Sequence, residues 1–79
     1  MLTYNLKEAL PQKSIFEYFV EGNEEDHGIV SLNLDTNTAH VEEFAPSDTG
    51  RRYGYHLMTA LEEFSENGTL ESSGTIMWY

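Results

Sequence analysis

Residues 45–58 read APSDTGRRYGYHLM, and this stretch decides the fold. Its first part breaks the chain: Pro46 has no N–H to give to a strand ladder, and Ser47, Asp48, Thr49 and Gly50 are turn formers. Its second part opens a helix. Tyr53, Leu57, Ala60, Leu61 and Phe64 recur at helical spacing and make one apolar stripe, while Glu62, Glu63 and Glu66 lie mostly off it. Asn67-Gly68 supplies the stop, because glycine tolerates the left-handed conformation just past a helix end. The spacing therefore predicts a helix over 51–66, entered from a strand through a glycine-containing basic loop.

Upstream, the chain reads as strands. The run 15–21, IFEYFVE, is β-branched and aromatic, with Phe16, Tyr18 and Val20 on one face. Residues 22–26 are polar and read as a hairpin loop. In 27–35, HGIVSLNLD, Val30, Leu32 and Leu34 point one way and Ser31, Asn33 and Asp35 the other, as in a half-buried antiparallel strand. After a turn at 35–38 the third strand, 39–45, slips in phase. Ala39 and Val41 share a face with Glu43, while Phe44 falls opposite, and a β-bulge or a splayed strand end accounts for the slip. Downstream, 75–79 (TIMWY) is almost wholly apolar, as expected of a strand buried on both faces and paired into a sheet, with a second copy as a candidate partner. Residues 1–14 stay open between a short helix and a loosely packed arm, since Leu2, Leu6 and Leu10 recur every four residues before Pro11. The expected fold is one α+β domain over 1–79: an antiparallel sheet of about four strands with one long helix on a face, in the order β-β-β-α-β.

The 79 residues carry 14 carboxylates against four Lys and Arg, a formal charge of −10. Such a field repels phosphate backbones, which argues against direct nucleic-acid binding. No apolar run approaches the roughly 20 residues of a membrane span. The start of the chain lacks the pattern of a secretory signal, so Asn67-Gly68-Thr69 reads as a turn rather than a glycosylation site. The absence of cysteine removes disulfides, thiolate metal sites and thiol nucleophiles, and fits a reducing cytoplasm. His27, His40 and His56 have no ligand-like spacing, so no metal site is expected. A calcium-loop reading of 35–46 fails, because His40 and Pro46 stand where glycine and glutamate are required.

The chemistry concentrates at 50–56. A helix N-terminus presents unpaired N–H groups and the positive end of the helix dipole, a ready seat for an anion. Gly50 and Gly54 permit close backbone approach, and Arg51 and Arg52 are the only arginines. The run Arg51-Arg52-Tyr53-Gly54-Tyr55-His56 resembles the Q/R-x-x-G-x-G/A loop of the GNAT N-acetyltransferase superfamily through its first four positions, with His56 in place of the final Gly or Ala. The strand pair before it and the helix after it are also similar to that family's core, over roughly residues 15–79. The resemblance implies an acyl-CoA N-acyltransferase, with acetyl-CoA held by Gly50, Arg51, Arg52, Tyr53, Gly54, Tyr55 and His56, and an amine as acceptor. It also implies a general base on the strand before the loop. Glu43 is that candidate because it shares the face of Ala39 and Val41, where burial would raise its pKa; His40 and His56 are the other candidates.

A different class fits the same composition. Acidic clusters at Glu21, Glu24, Glu25 and Asp26, at Glu42 and Glu43, and at Glu62, Glu63 and Glu66 suit a non-enzymatic module that binds a basic protein, as a nucleic-acid mimic or inhibitor does. The two classes part at the loop: a CoA protein keeps a positive hollow at 50–54, and a mimic needs none.

Overall fold

The computed structural model describes residues 1–77. Five strands and one helix follow in order: β1 (Leu2–Leu10), β2 (Lys13–Val20), β3 (Gly28–Asn33), β4 (Thr38–Glu43), α1 (Arg52–Asn67) and β5 (Ser73–Ile76). They form a single α+β unit, with all strands antiparallel in the spatial order β4-β3-β2-β1-β5. The helix packs on one face, chiefly over β3 and β4.

The first segment is neither a helix nor an arm. It is β1, so the antiparallel sheet expected at about four strands has five. Leu2, Tyr4 and Leu6 alternate with Thr3 and Asn5 and stand opposite Val20, Tyr18 and Phe16. A spacing of four fits a strand as well as a helix, because both put such residues on one side. A bulge at Lys7 then shifts the register between Leu6 and Glu8. Leu10 is consequently turned off the core face and is exposed.

The core lies between sheet and helix. Leu2, Tyr4, Phe16, Tyr18, Val30, Leu32, Leu57 and Leu61 are buried there, and Tyr4 meets Phe16 edge-on at 5.8 Å between ring centres. Leu57 and Leu61 come from the stripe expected of the helix, with Tyr53, Ala60 and Phe64 half-buried beside them. At the other end Gly68 adopts φ 73°, and Gly68 and Thr69 donate to the Ser65 and Phe64 carbonyls, which closes the helix as expected of Asn67-Gly68.

The expected bulge in the third strand is present. Val41 faces Val30, but Glu43 faces Ile29, so Glu42 is the extra residue. This overturns the inward placement of Glu43. The bulge turns Glu43 to the face away from the helix, where it is exposed, and returns Phe44 to the helix side, half-buried. Leu34 lies past the end of β3 and is exposed, not inward. The last strand starts at Ser73 and lies at the sheet edge beside β1, with Ser73 and Thr75 exposed and Ile76 half-buried. It is thus covered on one face rather than two through Ile76. Trp78 and Tyr79, the rest of the expected apolar strand, lie outside the described residues.

Candidate functional site

The β4–α1 loop is organised around Asp48. This residue is 6% exposed, and its carboxylate accepts the backbone N–H groups of Tyr53 (3.2 Å) and Gly54 (2.8 Å). It also accepts the Tyr18 hydroxyl at 2.9 Å, and that hydroxyl in turn accepts the Ala45 N–H at 3.0 Å. The Asp48 carbonyl receives the Arg51 N–H, and the Arg51 carbonyl receives the Tyr55 N–H. An internal carboxylate therefore sits where the helix dipole favours negative charge. Two of the amides expected to face a pyrophosphate donate to it instead.

Gly54 is a close-packing position. A Cβ there would stand 2.8 Å from the Phe44 ring and 3.0 Å from the Tyr18 hydroxyl oxygen. Arg51, the residue before the helix, is held at φ 60°. Its guanidinium lies 5.1 Å from the centre of the Phe44 ring, and Tyr55 meets the same ring edge-on at 5.3 Å. Neither arginine reaches a carboxylate at ion-pair distance among the described residues. Gly50, Arg52, Tyr55, His56 and Thr59 border an open hollow of about 400 Å³. A smaller one of about 210 Å³ lies between Val20, Asp48, Gly50, Arg52 and Tyr53. Residues 50–56 are thus gathered in one loop and first helical turn, while Glu43 faces away from the helix.

The loop is also tied to the acidic β2–β3 connection. Tyr53 donates its hydroxyl to Glu21 at 2.7 Å, and Ser47 donates to Asp26 at 2.8 Å. The Met1 amino group bonds to Glu21, and this contact, with the Tyr53 bond second, holds the Glu21 carboxyl below its ordinary pKa. The same bond raises the Tyr53 hydroxyl. Because β3 and β4 pair with Ile29 opposite Glu43, the end of β4 lies beside the β2–β3 connection. Glu21, Glu24, Glu25, Asp26, Glu42 and Glu43 therefore share one end of the sheet.

On the face away from the helix, Ser31 donates to Glu42 at 2.7 Å and Asn5 donates to Glu17 at 3.2 Å. His40 lies 4.0 Å from Glu42. The sequence did not single out Asp48 or Tyr18 as a pair. No local pattern reports it, because 30 residues separate them.

No helix is long and apolar enough to cross a membrane among the described residues. The chain matches no protein-family model, no curated protein and no solved structure.

Proposed function

We propose that this domain is a protein-binding module that presents carboxylates to a basic partner. The observation that carries the reading is the convergence of Glu21, Glu24, Glu25, Asp26, Glu42 and Glu43, from two separate segments, on one end of the sheet. Their summed field attracts cationic surfaces and speeds encounter with them. The buried Asp48 carboxylate already takes the Tyr53 and Gly54 amides, which leaves less of the helix terminus to an external anion. A cysteine-free chain suits a partner in the reducing cytoplasm.

The test is a pair of amide-resolved NMR titrations, one with oligolysine and one with acetyl-CoA. Oligolysine is expected to shift residues 21–26 and 42–43, with an affinity that falls as salt rises. Acetyl-CoA is expected to leave the spectrum unchanged. A silent oligolysine titration would remove the reading.

A second reading is favoured by the hollow beside Gly50, Arg52, Tyr55 and His56, which has a cation on its wall and the start of a helix beneath it. In this reading acetyl-CoA lies over residues 50–56 and an amine acceptor is acylated there, as in an acyl-CoA N-acyltransferase, with a base other than Glu43, which is turned away from the helix. A second copy added at the outer edge of β5, unpaired among the described residues, would extend the sheet at the edge opposite β4. Shifts confined to residues 50–57 on adding acetyl-CoA, lost in an Arg51→Ala/Arg52→Ala variant, would establish this reading in place of the first. Both side chains are exposed, and the variant's own amide spectrum checks that it is folded.

A further inference from the structure

A sheet covered by one helix should be polar on its other face. This one is not. On the side away from α1, β2 and β3 place Ile15, Phe19 and Ile29, all half-buried, where a solvated strand would carry polar residues. The carboxylates around them follow from the register. Ile29 stands directly between Glu17 on β2 and Glu43 on β4. Ile15 stands between Glu8 on β1 and Ser31 on β3, and Ser31 holds Glu42 at 2.7 Å. Phe19 packs near His27, with 6.3 Å between ring centres. Adjacent strands are about 4.8 Å apart, so the two glutamates flanking Ile29 are on strands about 10 Å apart. Around the trio stand Glu8, Glu17, Glu42 and Glu43, with Lys13 on the same face, Lys7 in the bulge beside Glu8, and His40 opposite Ser31.

We infer that this helix-free face is the docking surface for a cationic, amphipathic protein segment, one that seats aliphatic side chains on Ile15, Phe19 and Ile29 and places lysines or arginines over the flanking glutamates. The inference rests on the acidic-module reading and assigns it a face. Charge complementarity selects the occupant. A second copy of this chain would bring four more carboxylates onto the same face, whereas a basic segment neutralises them. Two of the carboxylates are already held in place, Glu17 by Asn5 and Glu42 by Ser31, so little side-chain freedom is lost on binding. The apolar trio supplies what a purely acidic surface lacks, a reason to prefer one basic protein over another.

The probe is a short peptide of alternating lysine and isoleucine, compared with a lysine–serine peptide of the same length and charge. The lysine–isoleucine peptide is expected to bind at least about tenfold tighter, the worth of a modest extra apolar burial. Its amide shifts are expected at Ile15, Glu17, Phe19, Ile29 and Ser31. Ile15→Ser/Ile29→Ser should reduce its affinity to that of the lysine–serine peptide. Glu17→Gln/Glu42→Gln, which leaves the apolar trio intact, should weaken both peptides, and each variant's amide spectrum confirms that it is folded. Equal affinity for the two peptides, or shifts confined to residues 21–26, would overturn the face assignment and leave the acidic-module reading standing. No binding of either peptide would remove both. Self-association of the free chain with shifts on this face would overturn the inference in favour of a second copy.

Discussion

The Tyr18 hydroxyl lies 2.9 Å from Asp48 Oδ2 and at the same time accepts the Ala45 N–H at 3.0 Å. Through these contacts the middle strand, the exit of β4 and the first turn of α1 are joined at one buried point. The bond places the helix on the sheet, and it fixes the loop that carries Arg51 and Arg52.

Removing either partner leaves buried polar groups unmatched. Tyr18→Phe strands the Ala45 N–H and one lone pair of Asp48, at a cost of about 2–3 kcal/mol. Asp48→Ala strands the Tyr53 and Gly54 amides and the Tyr18 hydroxyl, at about 3 kcal/mol. For a domain of this size either loss is a large share of a total of about 4–12 kcal/mol. Urea unfolding of both single variants and the double variant should show non-additivity of at least about 0.5 kcal/mol. Strict additivity would mean that the two groups act independently.

The same bond gives stability an alkaline limit. Burial, first, and then the Asp48 carboxylate push the Tyr18 hydroxyl far above its ordinary value, against a downward pull from the Ala45 N–H. Tyr4 is raised by burial and by Glu71. A folded pKa above the unfolded one means that the folded state retains the proton. Its contribution is complete below about pH 10 and is lost as pH rises beyond that value. Urea midpoints are expected to fall above pH 10, and Tyr18→Phe should make that fall shallower. An unchanged slope would show that Tyr18 does not set the limit.

Glycine plays two different roles around Tyr18. Gly28 stands opposite Tyr18 in the β2–β3 register, and a Cβ there would lie 2.0 Å from the ring. The ring is fully buried and has nowhere to go. Gly54 gains about 1 kcal/mol of helix propensity on conversion to alanine, but its Cβ meets Phe44, which is half-buried and able to yield. Gly28→Ala is therefore expected to lose more than the about 1–3 kcal/mol of ordinary overpacking, and Gly54→Ala less. Phe44→Leu should recover part of the Gly54→Ala loss and none of the Gly28→Ala loss. The reverse order in thermal midpoints would contradict the packing described around Tyr18.

The sequence carried the helix, its stop and the β2–β3–β4 meander, because each is written in a local period or a terminal glycine. It failed where a bulge resets the period. Lys7 hides β1 behind a spacing that also fits a helix, and Glu42 reverses the face assigned to Glu43. The organising role of Asp48 was hidden for another reason. Capping rules look at the residue just before the helix, which is Arg51, whereas the carboxylate that accepts the amides comes from three residues earlier and is oriented by Tyr18 on another strand. The motif-like run 51–56 was legible as a loop that opens a helix. Which of its amides are already engaged depends on tertiary contacts that no window of sequence contains.

The two edges of the sheet are treated differently, and this gives a last expectation. β4 is an edge strand, and the half-buried Glu62 of α1 accepts the Ala39 N–H at 2.9 Å. One helical side chain thus satisfies an outward-facing donor that would otherwise invite another strand. Glu62→Ala should lose about 1–2 kcal/mol with the charged hydrogen bond. It should also raise self-association relative to the parent chain, measured by sedimentation velocity across a concentration series. Glu62→Gln keeps an acceptor oxygen and should behave like the parent in both respects. If Glu62→Ala sediments and unfolds as the parent does, the contact does not guard the edge, and the bulge at Glu42, beside the exposed Glu43, would be the feature that keeps β4 from pairing.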